Sequence, residues 1–277
     1  MTSGRSSSPR STGTSAQVRR RRAALVGIGA ALLLLVVVLV LQQCVAQEPE
    51  RPHPTELGYP SAPEQSEAPA AADLTEDITA VPLAELPDPD WVAETSEAAQ
   101  IPQRALTAYA GAALRLAETR PECGLGWNTL AGIGQVESVH GHYGGASIGE
   151  DGVVDPPVIG VALDGSEGLM AIPDTDDGEL DGDTEWDRAV GPMQFIPTTW
   201  EQYGHDANQD GQADVHQYDD AALTAGIYLC ENGEDLTGDF GWNDAVTAYN
   251  QSVEYANNVA GYALEYAESV QEDEDEQ

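Results

Sequence analysis

A glutamate near the end of a predicted helix is the first residue whose position suggests chemistry. Glu137 follows Ile133 by four residues and Leu130 by seven, so helical spacing places it on or beside an apolar face. A carboxyl group in such a position is desolvated, and desolvation raises its pKa. A raised pKa is what a general acid working near neutral pH requires. The alternative, on spacing alone, is a helix-end glutamate that points to water.

A run of oxygen-bearing side chains has the spacing of a calcium-binding loop. Carboxylate or amide residues stand at positions 1, 3 and 5, a glycine at position 6 permits a sharp turn, and position 7 offers a backbone carbonyl. Position 12 departs from the pattern, because Gln217 stands where glutamate is usual, and Asp219 or Asp220 can close a lengthened loop. The alternative is an Asx-rich turn without a metal. The loop residues are Asp206, Asn208, Asp210 and Gln212.

Further carboxylates cluster between residues 174 and 183, in a stretch rich in glycine, proline and aspartate. This cluster is a weaker candidate for cation binding, since an exposed acidic run is more often a solvated loop. Its members are Asp174, Asp176, Asp177, Glu179, Asp181 and Asp183.

Two later segments carry distinctive motifs. Residues 189–200 contain the run G-P-M-Q-F-I-P-T-T-W, and residues 248–252 read A-Y-N-Q-S.

Taken in chain order, the three motifs resemble those of a known enzyme family. E-S after a helix, then G-P-M-Q-F-I-P-T-T-W, then A-Y-N-x-S, are similar to the lytic transglycosylases of the lysozyme-like superfamily. The similarity is greatest to the membrane-bound type B branch in its actinobacterial form, and it covers roughly residues 101–270. The second motif is the specific one, whereas E-S alone would be weak.

The resemblance implies a substrate, a reaction and a role for several residues. Glu137 matches the single catalytic acid/base, which would protonate the glycosidic oxygen between N-acetylmuramic acid and N-acetylglucosamine in peptidoglycan. It would then take a proton from the C6 hydroxyl, closing a 1,6-anhydro ring without water. The family's EF-hand-like loop implies a structural Ca²⁺ with Asp220 as the closing carboxylate. Positions that line the family's substrate groove match Gln194, Tyr228, Tyr249 and Asn250.

Two alternatives to this reaction stay open. Glu185, Trp186 and Asp187 stand where better-known type B enzymes offer a serine to the substrate. Because a second carboxylate is what a glycoside hydrolase uses, one alternative is a muramidase that hydrolyses the same bond. The other is a non-catalytic, calcium-stabilised domain that binds the cell wall. Tyr228 also has an alternative, as a tyrosine of the helical core.

The elements that must position these residues are mostly helices. The predicted fold is mainly α, a lysozyme-like α+β helical domain with an EF-hand-like loop. A long irregular insertion covers residues 144–186, with a short hairpin around 153–163. Ser252 is predicted to cap a last helix that carries a tyrosine stripe. The other predicted helices cover residues 104–119, 128–138, 219–229 and 243–249.

Two cysteines fall within this domain. Cys123 and Cys230 are expected to form a disulfide, because the sequence before them indicates export to an oxidising compartment. The alternative is two separately buried thiols.

The sequence that indicates export is an arginine cluster followed by an apolar segment. Residues 1–22 contain six arginines, and residues 23–41 contain no polar side chain. Nineteen residues of helix span a bilayer core, and the positive-inside rule places the N-terminus in the cytoplasm. We therefore expect a single-pass signal anchor with the catalytic domain on the outer, cell-wall side of the membrane. Secretion after signal cleavage is the alternative.

Composition divides the rest of the chain and excludes one class of function. Residues 42–90 hold nine of the 17 prolines and are predicted to form an extended linker. Residues 91–270 are the predicted catalytic domain, and residues 271–277 an acidic tail. With 48 acidic and 11 basic residues, the net charge is −37. Such a charge argues against nucleic-acid binding, which requires cations on phosphates.

Overall fold

The structure, a computed structural model, describes residues 51–72 and 77–276. One compact unit covers His53–Gln277. Its described part is mainly α-helical with little sheet, which confirms the predicted fold class. The helices in this part of the chain are α1 (Pro89–Ala99), α2 (Gln103–Thr119), α3 (Trp127–Ser138), α4 (Pro197–Tyr203), α5 (Tyr218–Gly233), α6 (Asp239–Tyr249) and α7 (Val253–Glu276).

Helix α3 lies at the centre of the fold and packs against α2 and α7. The helix begins at Trp127 and its N-cap is Gly126, so Asn128 lies inside its first turn. The Asn128 amide is fully buried and accepts a hydrogen bond from the backbone N–H of Ser66 at 2.9 Å. It also donates to the carbonyl oxygen of Ala263 at 3.1 Å, so it joins α3 to α7.

Two glycines in α3 allow neighbouring elements to approach closely. A Cβ atom on Gly132 would lie 2.7 Å from the carbonyl oxygen of Val259 in α7. A Cβ atom on Gly134 would collide with the hydroxyl group of Tyr109 from α2. Glycine is a poor helix former, but at these positions any side chain would push a packed neighbour away.

The insertion between α3 and α4 contains two short pairs of β-strands. The predicted hairpin around residues 153–163 is not formed, because β2 (Val154–Asp155) pairs with β1 (Ser147–Ile148), and β3 (Ile159–Ala162) pairs with β4 (Arg188–Val190). Both pairs are antiparallel. Two prolines separate β2 from β3, and proline lacks the N–H group that a continuous ladder needs.

Residues 53–90 differ from the extended linker predicted for residues 42–90. Leu83 and Leu86 are fully buried, and the backbone N–H of Leu83 donates to the carbonyl oxygen of Ala207 at 3.0 Å. The backbone N–H of Ala62 donates to Asp239 at 2.8 Å. A proline-rich segment loses little backbone freedom on ordering, so a few buried leucines suffice to hold it on the domain.

At the other end of the chain, α7 extends through Glu276 and includes most of the predicted acidic tail. Glutamate and glutamine favour helix, so the helix continues past the packed part of the domain. Ser252 caps α7 as predicted, because its hydroxyl accepts the backbone N–H of Tyr255 at 3.3 Å.

The two cysteines form the predicted disulfide. Cys123 precedes α3, Cys230 lies near the end of α5, and both are buried. The bond therefore joins the segment before the central helix α3 to the last turn of α5.

Among the described residues, no helix is long and apolar enough to span a membrane. The basic segment 1–22 and the predicted span 23–41 lie outside the described residues.

The close approach at Gly134 leads to a stability prediction with a matched control. We expect Gly134→Ala to lower the free energy of unfolding by about 2–4 kcal/mol, because the new methyl group displaces the Tyr109 hydroxyl. Gly261→Ala places the same group on α7 where no atom lies within 4 Å, and it should stabilise by up to about 1 kcal/mol. Urea unfolding measures both. Equal effects of the two substitutions would contradict the prediction.

Candidate active site

Glu137 lies in the last turn of α3, where the helix ends abruptly. The two residues that follow the helix, Val139 and His140, have φ values of 52° and 53°. The backbone N–H of His140 returns to the carbonyl oxygen of Gly134 at 3.0 Å. A left-handed conformation is unusual for a β-branched residue and is held only by its surroundings. This turn directs the chain away from the helix and leaves Glu137 at its end.

The Glu137 carboxyl group is largely desolvated and has no positive partner among the described residues. Burial raises its pKa to about 7, the largest influence on the group. The Tyr255 hydroxyl donates a hydrogen bond to Glu137 Oε1 at 2.5 Å, which acts in the opposite direction. The desolvated position expected from helical spacing is therefore what the structure has. Tyr255 was not singled out from the sequence as a partner of this carboxyl group.

A chain of buried aromatic side chains holds the turn that follows Glu137. His140 contacts the hydroxyl of Tyr109 through Nδ1 and that of Tyr266 through Nε2, each at 3.0 Å. The Tyr109 hydroxyl also meets that of Tyr218 at 2.5 Å. Burial lowers the His140 pKa to about 3, so the ring is neutral near neutral pH. The network is a structural support, and its residues come from helices far apart in sequence.

Ser138 connects the first motif to the second. Its hydroxyl donates to the carbonyl oxygen of Pro192 at 2.6 Å and accepts the backbone N–H of Gly141 at 2.7 Å. The serine of E-S therefore fixes the G-P-M-Q-F segment beside the end of α3.

The third motif meets the second through Tyr249. Its hydroxyl donates to the carbonyl oxygen of Met193 at 2.7 Å, and its ring lies 5.7 Å from that of Tyr228, nearly perpendicular to it. Tyr228 is only partly buried, and its hydroxyl donates to the carbonyl oxygen of Ala248 at 3.0 Å. Burial raises the pKa of Tyr249 well above its ordinary value, and the negative charge of Glu137 raises it further.

The two predicted amides lie on different elements. Gln194 stands in the turn after β4 with a φ value of 51°, and its amide nitrogen donates to the carbonyl oxygens of Gly191 and Val158. Asn250 is exposed just after α6, and its Oδ1 accepts the backbone N–H of Ser252 at 3.0 Å. Both amides are partly committed to backbone groups and both retain access to solvent.

The predicted calcium loop has the internal hydrogen bonds of a tight turn. Asp206 Oδ2 accepts the backbone N–H of Gly211 at 2.9 Å, and Asn208 Oδ1 accepts that of Asp210 at 3.0 Å. Gly211 has a φ value of 97°, which glycine adopts at no steric cost. The glycine at position 6 therefore has the role that the loop pattern gave it.

Asp220 closes this loop from the first turn of α5. Its buried carboxylate accepts backbone N–H groups of Ala207, Asn208 and Asp214 at 2.7, 3.2 and 2.9 Å. Burial raises its pKa to about 6. Asp206 Oδ1 is buried without a hydrogen-bond partner within the described residues. An unpartnered carboxylate oxygen in an all-oxygen loop fits a hard cation such as Ca²⁺.

Another group of carboxylates converges in the insertion. Oxygen atoms of Asp174, Asp176 and Asp187 lie within 4.8 Å of one another, whereas the aspartates of the calcium loop do not form such a group in the described residues. Asp187 is fully buried and accepts hydrogen bonds from the backbone N–H and the hydroxyl of Thr175, both at 2.8 Å. These acids shape the turns of the insertion by binding its backbone.

One family model matches this chain. Residues 171–237 match the Transglycosylase SLT domain. The matched part runs from the insertion through α5 and contains Gln194, Tyr228 and the calcium loop, but not Glu137 or the A-Y-N-Q-S segment. The match supports the predicted lytic transglycosylase. The type B branch and the actinobacterial form stay predictions.

One solved structure is similar to part of the chain. It is the crystal structure of SltB3 from Pseudomonas aeruginosa in complex with NAG-anhNAM-pentapeptide, at 18% sequence identity and a TM-score of 0.36. The alignment covers 62% of this chain and 65% of that chain, slightly less than two thirds of it. No curated protein matches the sequence significantly.

The raised pKa of Glu137 leads to a prediction for stability. The folded-state pKa of about 7 lies above the ordinary value of 4.5, so the folded protein binds this proton more tightly than the unfolded chain. The resulting stability is full below pH 4.5 and is lost as the pH rises through 7. The free energy of unfolding of Glu137→Gln minus that of the wild type should therefore be larger at pH 8 than at pH 4.5, by roughly 3 kcal/mol.

Urea unfolding of both proteins at the two pH values tests this prediction. Glu185→Gln is the matched control, since it makes the same change of charge on the exposed part of the insertion. A difference between Glu137→Gln and wild type that is the same at both pH values would contradict the assignment of a raised pKa.

Proposed function

We propose that this protein is a lytic transglycosylase that cleaves peptidoglycan glycan strands, with Glu137 as its only acid/base. The observation that carries the proposal is a desolvated carboxyl group with a pKa near 7. The adjacent Ser138 bonds to Pro192 of the second motif, and Tyr249 of the third motif bonds to Met193 of the second. The match to the Transglycosylase SLT domain supports the same reaction class.

The first step is proton donation. Protonated Glu137 donates to the glycosidic oxygen between N-acetylmuramic acid and N-acetylglucosamine, and the bond from that oxygen to C1 breaks. A pKa of about 7 keeps a large fraction of the group protonated at neutral pH while leaving it acidic enough to give up the proton. The Tyr255 hydroxyl, already bound to Oε1, then stabilises the carboxylate that forms.

The second step returns the proton to the same carboxyl group. The Glu137 carboxylate takes the proton of the C6 hydroxyl as that oxygen bonds to C1, which closes the 1,6-anhydro ring. The enzyme ends the cycle protonated, and no water is consumed. One group serves as acid and then as base because its pKa lies close to the working pH.

The surroundings of Glu137 favour this reaction over hydrolysis. A glycoside hydrolase needs a second carboxylate within about 5–10 Å to attack C1 or activate water. No carboxylate of the described residues is among the influences on the Glu137 pKa, which are burial and Tyr255. Asp187 is buried and bound to Thr175 in the insertion, so it is not free to activate a water molecule.

The partly exposed polar and aromatic side chains beside Glu137 are proposed to bind the glycan. Aromatic faces suit the apolar side of a sugar ring, and amides suit its hydroxyl and acetamido groups. Support comes from the two hydrogen bonds that hold the motifs together, one from Ser138 to Pro192 and one from Tyr249 to Met193. The proposed contacts are Gln194, Tyr228, Tyr249 and Asn250.

We also propose that the enzyme works outside the cytoplasmic membrane, anchored by residues 23–41. The arginines before this segment support that orientation, and the disulfide between Cys123 and Cys230 suits an oxidising compartment. Secretion after cleavage is the alternative. The order of the motifs supports placement in the membrane-bound type B branch in its actinobacterial form.

Digestion of purified peptidoglycan with mass analysis of the products tests the reaction. We expect anhydro-muropeptides, which are one water lighter than the products of hydrolysis. Glu137→Gln should lose at least a thousandfold in rate and still bind insoluble peptidoglycan. Products with reducing ends only would identify a muramidase. Unchanged lysis by Glu137→Gln would exclude both enzymes and favour a wall-binding domain.

A second variant connects the pH profile to the structure. Tyr255→Phe removes a hydrogen bond that lowers the Glu137 pKa, so the alkaline limit of activity should move to higher pH as the maximal rate falls. Tyr262→Phe is the control, because that ring stacks on Tyr266 in the same helix.

We further propose that residues 206–220 bind Ca²⁺ as a structural ion. Thermal unfolding with and without chelator should show a loss of several degrees on metal removal, since an ion bound only by the folded state stabilises it. Asp210→Ala should abolish this difference, whereas Asp174→Asn should retain it. No shift with chelator would contradict the proposal, and loss of the shift in Asp174→Asn would place the ion in the insertion.

A further inference from the structure

The insertion contacts the proposed glycan-binding surface at Gln194. Strand β3 passes directly beside Gln194, and a Cβ atom on Gly160 would lie 3.0 Å from Gln194 Oε1. The carbonyl oxygen of Val158, just before β3, accepts a hydrogen bond from Gln194 Nε2 at 3.3 Å. The insertion is therefore part of the environment of this amide.

The hydrogen bonds of Gln194 determine which way its amide faces. Nε2 donates to the carbonyl oxygens of Gly191, at 2.9 Å, and Val158, which uses both of its protons. The flipped amide would instead place Oε1 against these two carbonyl oxygens, which already accept the backbone N–H groups of Gln194 and Gly191. Oε1 has no hydrogen-bond partner among the described residues, and the side chain is partly exposed.

Strand β3 is itself held in place by a charged side chain of β4. Arg188 donates to the carbonyl oxygen of Gly160 at 3.1 Å and forms an ion pair with Asp183 at 2.8 Å. The backbone N–H of Arg188 donates to Asp181 at 2.6 Å. The acidic turn of the insertion thus fixes the strand that borders Gln194.

We infer that Gln194 contacts the glycan only as a hydrogen-bond acceptor, and that the insertion imposes this polarity through Val158 and Gly160. This inference rests on the proposed function and specifies its substrate contact. The group that Gln194 selects is a donor on the sugar, either an acetamido N–H or a hydroxyl. A carboxylate of the substrate has no donor for this position and is disfavoured there.

Binding of short glycans to the Glu137→Gln protein tests the inference without turnover. The reference ligand is tetra-N-acetylchitotetraose. One analogue replaces each acetamido N–H by an ester oxygen, and others carry a methyl ether in place of the C3 or the C6 hydroxyl, so each removes one kind of donor and keeps the acceptors. We expect one of these analogues to bind about tenfold more weakly, as measured by calorimetry. The analogue that weakens identifies the donor.

A double-mutant cycle assigns that loss to Gln194. Gln194→Met has a similar volume and no strong hydrogen-bonding group. In this variant the affinity for the same analogue should be less than twofold below that for the reference ligand. Gly160→Ala should weaken the reference ligand about tenfold, since the methyl group crowds Oε1. Gly238→Ala, at a glycine with no atom within 4 Å of the new group, should leave binding unchanged. Arg188→Met, which removes the link between β3 and Asp183, should also reduce the difference in affinity between the reference ligand and that analogue.

Each outcome has a defined meaning. If every donor-deleted analogue binds as tightly as the reference, or if the loss is equal with and without Gln194, the inference is overturned. Anhydro products from the wild type would then leave the proposed function intact. Absence of any glycan binding by the Glu137→Gln protein would overturn the proposed function and this inference together.

Discussion

The burial of the Glu137 carboxyl group, with no charged partner among the described residues, is the constraint on which the rest of the site depends. Burial raises its pKa and the hydroxyl of Tyr255 lowers it, which leaves a pKa of about 7. A nearby arginine would lower the pKa and a nearby aspartate would raise it further. The influences on the group are burial and a neutral phenol, and this balance keeps it suited to both halves of the proposed reaction.

Much of this site follows from spacing in the sequence, because its key residues lie on regular helices. The position of Glu137 relative to Leu130 places the carboxyl group where the structure has it, and the disulfide of Cys123 with Cys230 follows from the predicted compartment. The helical fold was predictable for the same reason. Helical periodicity in the sequence identifies the apolar face of a helix, and residues on that face are the ones that become buried.

The parts that could not be predicted depend on contacts between distant segments. The bonds of Tyr255 to Glu137 and of His140 to Tyr266 join residues more than a hundred positions apart, and no local pattern encodes them. Asparagine is a residue type that often caps helices, but Asn128 binds Ser66 and Ala263 instead. Residues 53–72 and 77–90 have the composition of a linker, yet Leu83 and Leu86 are buried and attach this segment to the domain.

The fit of the Tyr109 hydroxyl against Gly134 has a mechanical consequence for α3. A side chain that enters the space left by a missing Cβ blocks both rotation and axial sliding of the helix, and the neighbouring contact at Gly132 acts in the same way. The helix that carries the acid is therefore a fixed reference against which a ligand must align. Under the proposed function, adjustment to glycan strands of different conformation would come from the turn around Gln194 and from strand β3 beside it.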